Sequence, residues 1–173
     1  MVNATTLTDL YRHMEWADAA VWTSVLASES GRTDTKLREH LYHLHMVQRA
    51  FLRAWRGEPR EMPYPTFDDA QSLMLWARTY YAEAFAHVGA LTDAHLSEPM
   101  PLPWASMVKR RLGREPATTT VGETALQVTL HSTHHRAQIS SRLRDVGGKP
   151  PLVDYIAWVW LGRPAADWPS VVA

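Results

Sequence analysis

His131-Ser-Thr-His134-His135-Arg136-Ala-Gln138 is the stretch on which the reading of this chain turns. Residues 121–130 before it and 139–146 after it both read as helix, so the stretch lies mid-helix. Side chains four residues apart on a helix share one face, one turn apart. His131 and His135 therefore point the same way, and two imidazole nitrogens so placed can meet one metal ion. His134 lies about 100° around the helix from His135 and cannot share that direction. The same spacing also occurs on solvated faces and in hydrogen-bonded cores, so a metal site needs a third ligand elsewhere. His40, His43 and His45, all on one earlier helix, are the candidates.

Working outward, the apolar periodicity predicts four long helices. The first spans 8–27, with Leu7, Leu10, Tyr11, Met14, Ala17, Val21 and Val25 at three- and four-residue steps. Residues 28–33, with Gly31, break it. The second spans 34–56 and stops at Gly57, with Pro59 just beyond. Residues 57–65 form a proline-containing connector. Thr66 is the expected N-cap of a third helix, with Asp68 and Asp69 in its first turn, running to His95. A proline-rich loop at 97–119 is long enough to run the length of a bundle as a crossover. Thr120 and Glu123 form a capping box that opens the fourth helix, which ends near Val146 before Gly147-Gly148. A short fifth helix covers 153–161. No repeat, low-complexity tract or strong strand pattern is visible. The expected fold is all-α: one domain over 1–173, a four-helix bundle with a long connection between helices three and four and a short C-terminal helix.

Composition narrows the function classes. Eighteen basic and eighteen acidic residues cancel, so there is no general electrostatic case for nucleic acid or an anionic membrane. The one basic cluster, Lys109-Arg110-Arg111 with Arg114, reads as solvated loop surface. There are no cysteines, which excludes disulfides, thiolate ligands and a cysteine nucleophile. A metal site must then use His, Asp, Glu and water, a set suited to zinc, nickel, iron or manganese. No signal peptide or membrane span is expected, and the absence of disulfides fits a cytoplasmic protein. The eight tryptophans read as core or interface residues.

The histidines separate by helical angle. On helix two the apolar stripe Leu37, Leu44, Val47 and Phe51 has His40 near its middle, His43 on its flank, and His45 over a second edge formed by Leu41, Gln48 and Leu52. Periodicity mildly favours His40 as the inward residue. His43 stays open, because ligands sit at borders between core and cavity, and because Ala50 and Ala54 on its side leave room for a cleft. His13 has Glu15 and Asp18 nearby in sequence; His87 and His95 read as surface. Glu15, Asp18 and Gln138 are candidates to orient a ligand's second ring nitrogen. There is no Gly-x-Ser-x-Gly elbow, no inward Glu-x-x-His pair and no phosphate loop.

Taken together these residues resemble the DinB-like (damage-inducible, YfiT-type) helix-bundle metalloprotein superfamily. The first helix, with Trp16-Ala-Asp18, resembles its opening Trp-Ala-(Asn/Asp) element. Leu37-Arg-Glu-His-Leu-Tyr-His43-Leu with Phe51-Leu52 resembles its second helix. His131-Ser-Thr-His134-His135-Arg136-Ala-Gln138 resembles its His-x-x-His-His-Arg-Gly-Gln motif, with Ala137 where glycine is usual, and Gly147-Gly148-Lys-Pro-Pro151 with Asp154-Tyr-Ile fits its tail. The resemblance implies a homodimeric four-helix bundle with one divalent transition metal, zinc or nickel first and iron or manganese next. By position it selects His43, His131 and His135 as ligands, in place of His40. It places His134 as a pocket residue. It implies either a thiol-dependent transferase, using a low-molecular-weight thiol, or a hydrolase, each acting on a small-molecule substrate. A non-catalytic metal-binding stress-response dimer is the alternative, since no general base stands out. Metal binding is expected to weaken below about pH 6 as the ligands protonate.

Overall fold

Each long helix begins where a short polar side chain can take up a free N-terminal amide. In the computed structural model, which describes residues 2–59 and 64–170, these helices are α1 Ala4–Leu26, α3 Thr35–Trp55, α4 Ala70–Val88 and α7 Val121–Asp145. Short helices α2 Glu29–Thr33, α5 Asp93–Leu96, α6 Ala105–Leu112 and α8 Tyr155–Trp160 occupy the connections and the C-terminal end. Among the described residues there is no strand, only an isolated bridge between Pro99 and Thr120. The chain is all-α, with a long connection between the third and fourth long helices and a short C-terminal helix, as expected.

The caps account for most boundary differences. Asn3 accepts from Thr6 N (2.8 Å), so α1 starts a turn before the expected position. Asp34 caps α3 at Leu37 N (2.7 Å). Asp69, not Thr66, caps α4 at Ser72 N (2.7 Å), and the segment before it is not helical. That helix ends at Val88 rather than His95. Thr92 then starts α5 afresh with a capping box to His95. The box of Thr120 and Glu123 opens α7 as predicted. Gly147, at φ +83°, turns the chain out of α7, and Gly148 N bonds back to Leu143 O (2.8 Å).

Side-chain bonds fix how the helices run. Tyr11 reaches Ala125 O and Asp18 reaches Arg136, so α1 and α7 are parallel. Trp55 bonds Thr124 and Asp34 bonds Arg142, so α3 and α7 are antiparallel. Arg38 bonds Asp68 O and Arg56 bonds Glu83, so α3 and α4 are parallel neighbours. Parallel neighbours need a return along the bundle. That return falls between Trp55 and Ala70, where residues 60–63 of the expected connector lie outside the described residues. The expected crossover in 97–119 is not required. Instead, α5 packs where α4 stops and α7 begins, with Leu96 against Gly122. The basic cluster Lys109-Arg110-Arg111 lies on exposed α6, not in a loop.

The core has two apolar halves. One gathers Leu7, Tyr11, Met14, Phe51, Leu52, Ala84 and Val128; the other gathers Val21, Trp22, Leu37, Leu44, Met74, Ile139 and Leu143. Between them, at the same level on α1, α3 and α7, lies a buried polar layer of Asp18, His45, Gln48, Ser132 and Arg136. Of the tryptophans, Trp22 and Trp158 are fully buried, whereas Trp160 is 78% exposed. No described helix is long and apolar enough to cross a membrane.

Candidate metal centre

Facing positions on α3 and α7 bring His43, His131 and His135 together. Each ring offers one nitrogen, and the three nitrogens lie within 4.8 Å of one another. Ring centroids are 4.5 Å apart for His43 and His135, 5.4 Å for His43 and His131, and 4.2 Å for His131 and His135. Nε2 of His131 and Nε2 of His135 are 3.1 Å apart. Two imidazole nitrogens each about 2.0–2.1 Å from one ion lie about 3.0–3.4 Å apart, so the pair fits a shared cation.

The electrostatics fit as well. Burial lowers the pKa of His131 to about 4, with the neighbouring rings of His135, His43 and His134 adding to the fall. Burial also lowers His43, helped by His40, and His135, helped by His43. All three rings are therefore neutral near pH 7, with a lone pair free to coordinate. Among the described residues no carboxylate belongs to the cluster.

The other histidines lie elsewhere. His40 is half-buried beside His43 and acts on it only as a neighbouring charge. His45, not His40, is the inward residue of α3, and it is almost fully buried. His134 is exposed at the edge of the cluster, 5.1 Å from the His135 ring. His13 is buried on the opposite side of α7 and donates from Nε2 to Val153 O (2.8 Å), tying α1 to the C-terminal segment. His87 is not surface: its ring lies flat against Trp55, 5.4 Å between centroids and 6° between planes. His95 is exposed, as expected.

The expected orienting partners behave differently. Glu15 accepts from Trp168 Nε1 (3.2 Å), and Asp18 is taken up by Arg136. Gln138 stays close, 3.1 Å from His134 Nε2 and near enough to His135 to oppose the fall in its pKa. Nδ1 of His131 and Nδ1 of His135 are buried with no hydrogen-bond partner among the described residues.

What the sequence reading missed is the layer behind the cluster. Arg136 Nη1 pairs with Asp18 Oδ1 at 2.7 Å, with both side chains almost fully buried. Asp18 Oδ2 accepts from Gln48 Nε2 (2.9 Å) and from the Tyr81 hydroxyl. Gln48 also donates to Ser132 Oγ (3.1 Å) and accepts from His45 Nδ1 (2.8 Å). Trp22 Nε1 donates to His45 Nε2 (2.9 Å), which fixes His45 as the neutral Nδ1–H tautomer. Burial lowers His45 and raises Tyr81 well above the usual phenol value, so neither is charged. The signal was available in the sequence: His45 and Gln48 fall on the Leu41–Leu52 edge, where an inward polar pair must find partners.

A groove of about 230 Å³ opens on the His43 face of α3. Met46 and Val47, one turn beyond His43, form its near end; Ala50 and Ala54 leave its floor open, as their small size suggested. A wider cleft of about 460 Å³ lies across α7 from the cluster, between α1 and residues 151–155.

A model of the DinB family matches residues 1–165. The chain belongs to the DinB family. No curated protein matches it. Within this DinB-family chain, the three histidines selected by motif position are the three that the fold brings together, and they form a group that could hold a metal ion.

Proposed function

We propose that this DinB-family protein is a divalent-metal-dependent enzyme acting on a small molecule, with His43, His131 and His135 holding one ion. The observation that carries the reading is the meeting of three neutral, partly buried imidazoles from two helices. Zinc or nickel suits such a donor set best, with iron or manganese next. A bound ion with three protein ligands keeps a position for an outside donor and supplies Lewis acidity there. At the edge of the cluster stands the exposed His134, its ring 5.1 Å from that of His135. Thiol transfer is put slightly ahead of hydrolysis, because among the described residues no carboxylate stands in the cluster to assist an attacking water. A low-molecular-weight thiol, with an ordinary pKa of about 8.5, is a soft donor that an ion held by imidazoles would bind as thiolate.

The first test is elemental analysis of untagged protein, beside His131→Ala/His135→Ala. About one equivalent of transition metal in the parent and little in the variant is expected, followed by turnover of thiol conjugates ahead of esters and amides. A parent that binds no metal even after reconstitution removes the basis for calling it an enzyme. The missing base also supports a second reading, a non-catalytic metal-binding dimer. It predicts that added thiol leaves the spectrum of the cobalt-substituted protein unchanged.

We also infer that two copies pair through the face carrying Leu130, Leu152, Ile156, Trp160 and Leu161. All five are exposed; Leu130 and Leu152 line one cleft, and Ile156 and Trp160 stand one turn apart on α8. Exposed apolar residues concentrated on one face mark an interface more often than open surface.

A further inference from the structure

Helix α6 is a protruding arm with a fixed root. Met100 N donates to Thr119 O (2.6 Å), Val121 N donates to Glu98 O (3.0 Å), and Trp104 meets Phe51 edge-on at 5.0 Å. Beyond that root every residue from 106 to 115 is exposed, and α6 itself buries no residue and has no side-chain N-cap. Its eight residues are too few for a stable helix in water on propensity alone, and helices gain most of their stability by packing an apolar face. The apolar stripe of α6 is Val108 and Leu112, one turn apart, 37% and 56% exposed. At about 100° per residue, Lys109 lies about 60° from Leu112 on one side of the stripe, and Arg111 about 60° from Val108 on the other. Arg110 lies on the far side, and Arg114 follows Gly113, which turns the chain at φ +69°. Lys109 pairs with Glu115, whereas the side chains of Arg110, Arg111 and Arg114 make no ion pair or hydrogen bond among the described residues. The chain as a whole is neutral, so this arm holds a local concentration of positive charge that the net charge conceals.

An apolar stripe with a cation on each flank suits a helix lying in a lipid interface. The stripe enters the acyl boundary, while long basic side chains lay their stems along it and carry their charges to the phosphate layer. Each cation held near an anionic leaflet adds to the attraction. Nucleic acid would answer the guanidinium groups but leave Val108 and Leu112 in water; a neutral apolar partner would do the reverse. We propose that α6 docks this protein on an anionic phospholipid surface, with Val108 and Leu112 inserted and Arg111 and Arg114 reaching lipid phosphates. The proposal draws nothing from the three-histidine site.

Its test is flotation of the full chain with vesicles of phosphatidylcholine alone and of equal parts phosphatidylcholine and phosphatidylglycerol. The anionic vesicles should bind at least tenfold tighter, and added salt should weaken them. Arg111→Glu/Arg114→Glu should lose at least tenfold and Val108→Ser/Leu112→Ser at least threefold, with melting temperatures unchanged, because α6 buries no residue. The chain has no cysteine, so Leu112→Cys carries a single polarity-sensitive fluorophore. Its emission should shift to the blue on anionic vesicles, and the same label on Ile156→Cys in α8 should not shift.

Absence of binding to the anionic vesicles overturns the proposal. So does binding that Val108→Ser/Leu112→Ser leaves intact, which would reduce the contact to charge alone. A blue shift at the α8 label without one at the α6 label would move the membrane contact to the other face and overturn it as well. A nucleic-acid duplex bound more tightly than the anionic vesicles at the same salt, read by fluorescence anisotropy, would assign the cations to nucleic-acid phosphates instead.

Discussion

Replacing Asp18 by Asn should cost this protein a large part of its stability. Asp18 is 2% exposed and Arg136 is 3% exposed, and their 2.7 Å contact is the ion pair of the polar layer among the described residues. Removing one member of such a buried pair leaves the other charged and without compensation, a loss of about 3–5 kcal/mol. Asn also presents an amide to Gln48 or Tyr81, both of which donate to Asp18 Oδ2, and one mismatched bond adds about 1 kcal/mol. A total of about 4–6 kcal/mol is about a quarter or more of the stability of a typical domain, about 5–15 kcal/mol. At about 2–4 °C per kcal/mol for a chain of this size, the melting temperature should drop by about 8–24 °C. Circular dichroism melts in the presence of chelator read this without interference from metal. Asp18→Asn/Arg136→Met removes both charges together, and most of the loss should return. A drop of less than 3 °C in the single variant, or a double variant no more stable than the single, would refute the reasoning.

Competitive zinc titration should show sharp losses for His131→Ala, His135→Ala and His43→Ala, and a much smaller one for His40→Ala; an order with His40 above His43 would overturn the ligand assignment. Zinc affinity should be flat from pH 8 to the free-imidazole value of about 6.5 and weaken only below it. The sign follows from the lowered pKa of each ring, because the protonated form is already disfavoured and protons compete less with the ion; His131 yields last, at about 4. A midpoint above 6.5 would contradict this. Trp160→Glu should shift the protein from dimer to monomer on sedimentation, with metal content unchanged, and a parent that is monomeric at micromolar concentration would sink the interface.

The long helices were legible because each carries a dense apolar stripe and a capping side chain that acts locally. The missing pieces lacked one or both signals. Helix α6 buries no residue and has no side-chain cap, so 105–112 offered no stripe to find; only Gly113, at φ +69°, marks its end. The return between Trp55 and Ala70 was hidden because helix direction depends on which neighbours pack, and that is settled by distant pairs such as Arg38 with Asp68. The choice between His40 and His43 failed on periodicity for a definite reason. The inward face of α3 runs through Leu37, Leu41, Leu44, His45, Gln48 and Leu52. Two of those six are polar, and counting apolar residues alone turned the helix toward His40. Motif resemblance escaped that error because it compares positions rather than hydrophobicity.

The family motif also divides into parts with different physical duties. His131 and His135 offer nitrogens to the cluster, whereas Arg136, the next residue, turns to the other side and meets Asp18 of the Trp16-Ala-Asp18 element. Two stretches more than a hundred residues apart are thus partners in a tie between α1 and α7. Apolar halves above and below this layer can slide or rotate with modest loss, since their contacts are not directional. The bonds among Asp18, Arg136, Gln48 and Ser132 are directional, and two of them anchor α7 on the same turns that carry the histidines. The layer should therefore set the rotation of α7 against α3 as well as contribute stability. Asp18→Asn/Arg136→Met separates the two duties: stability returns, but zinc affinity should stay at least tenfold below the parent, in the range found when groups behind metal ligands are removed. Parent-like zinc affinity in that variant would show that packing alone aligns the three histidines.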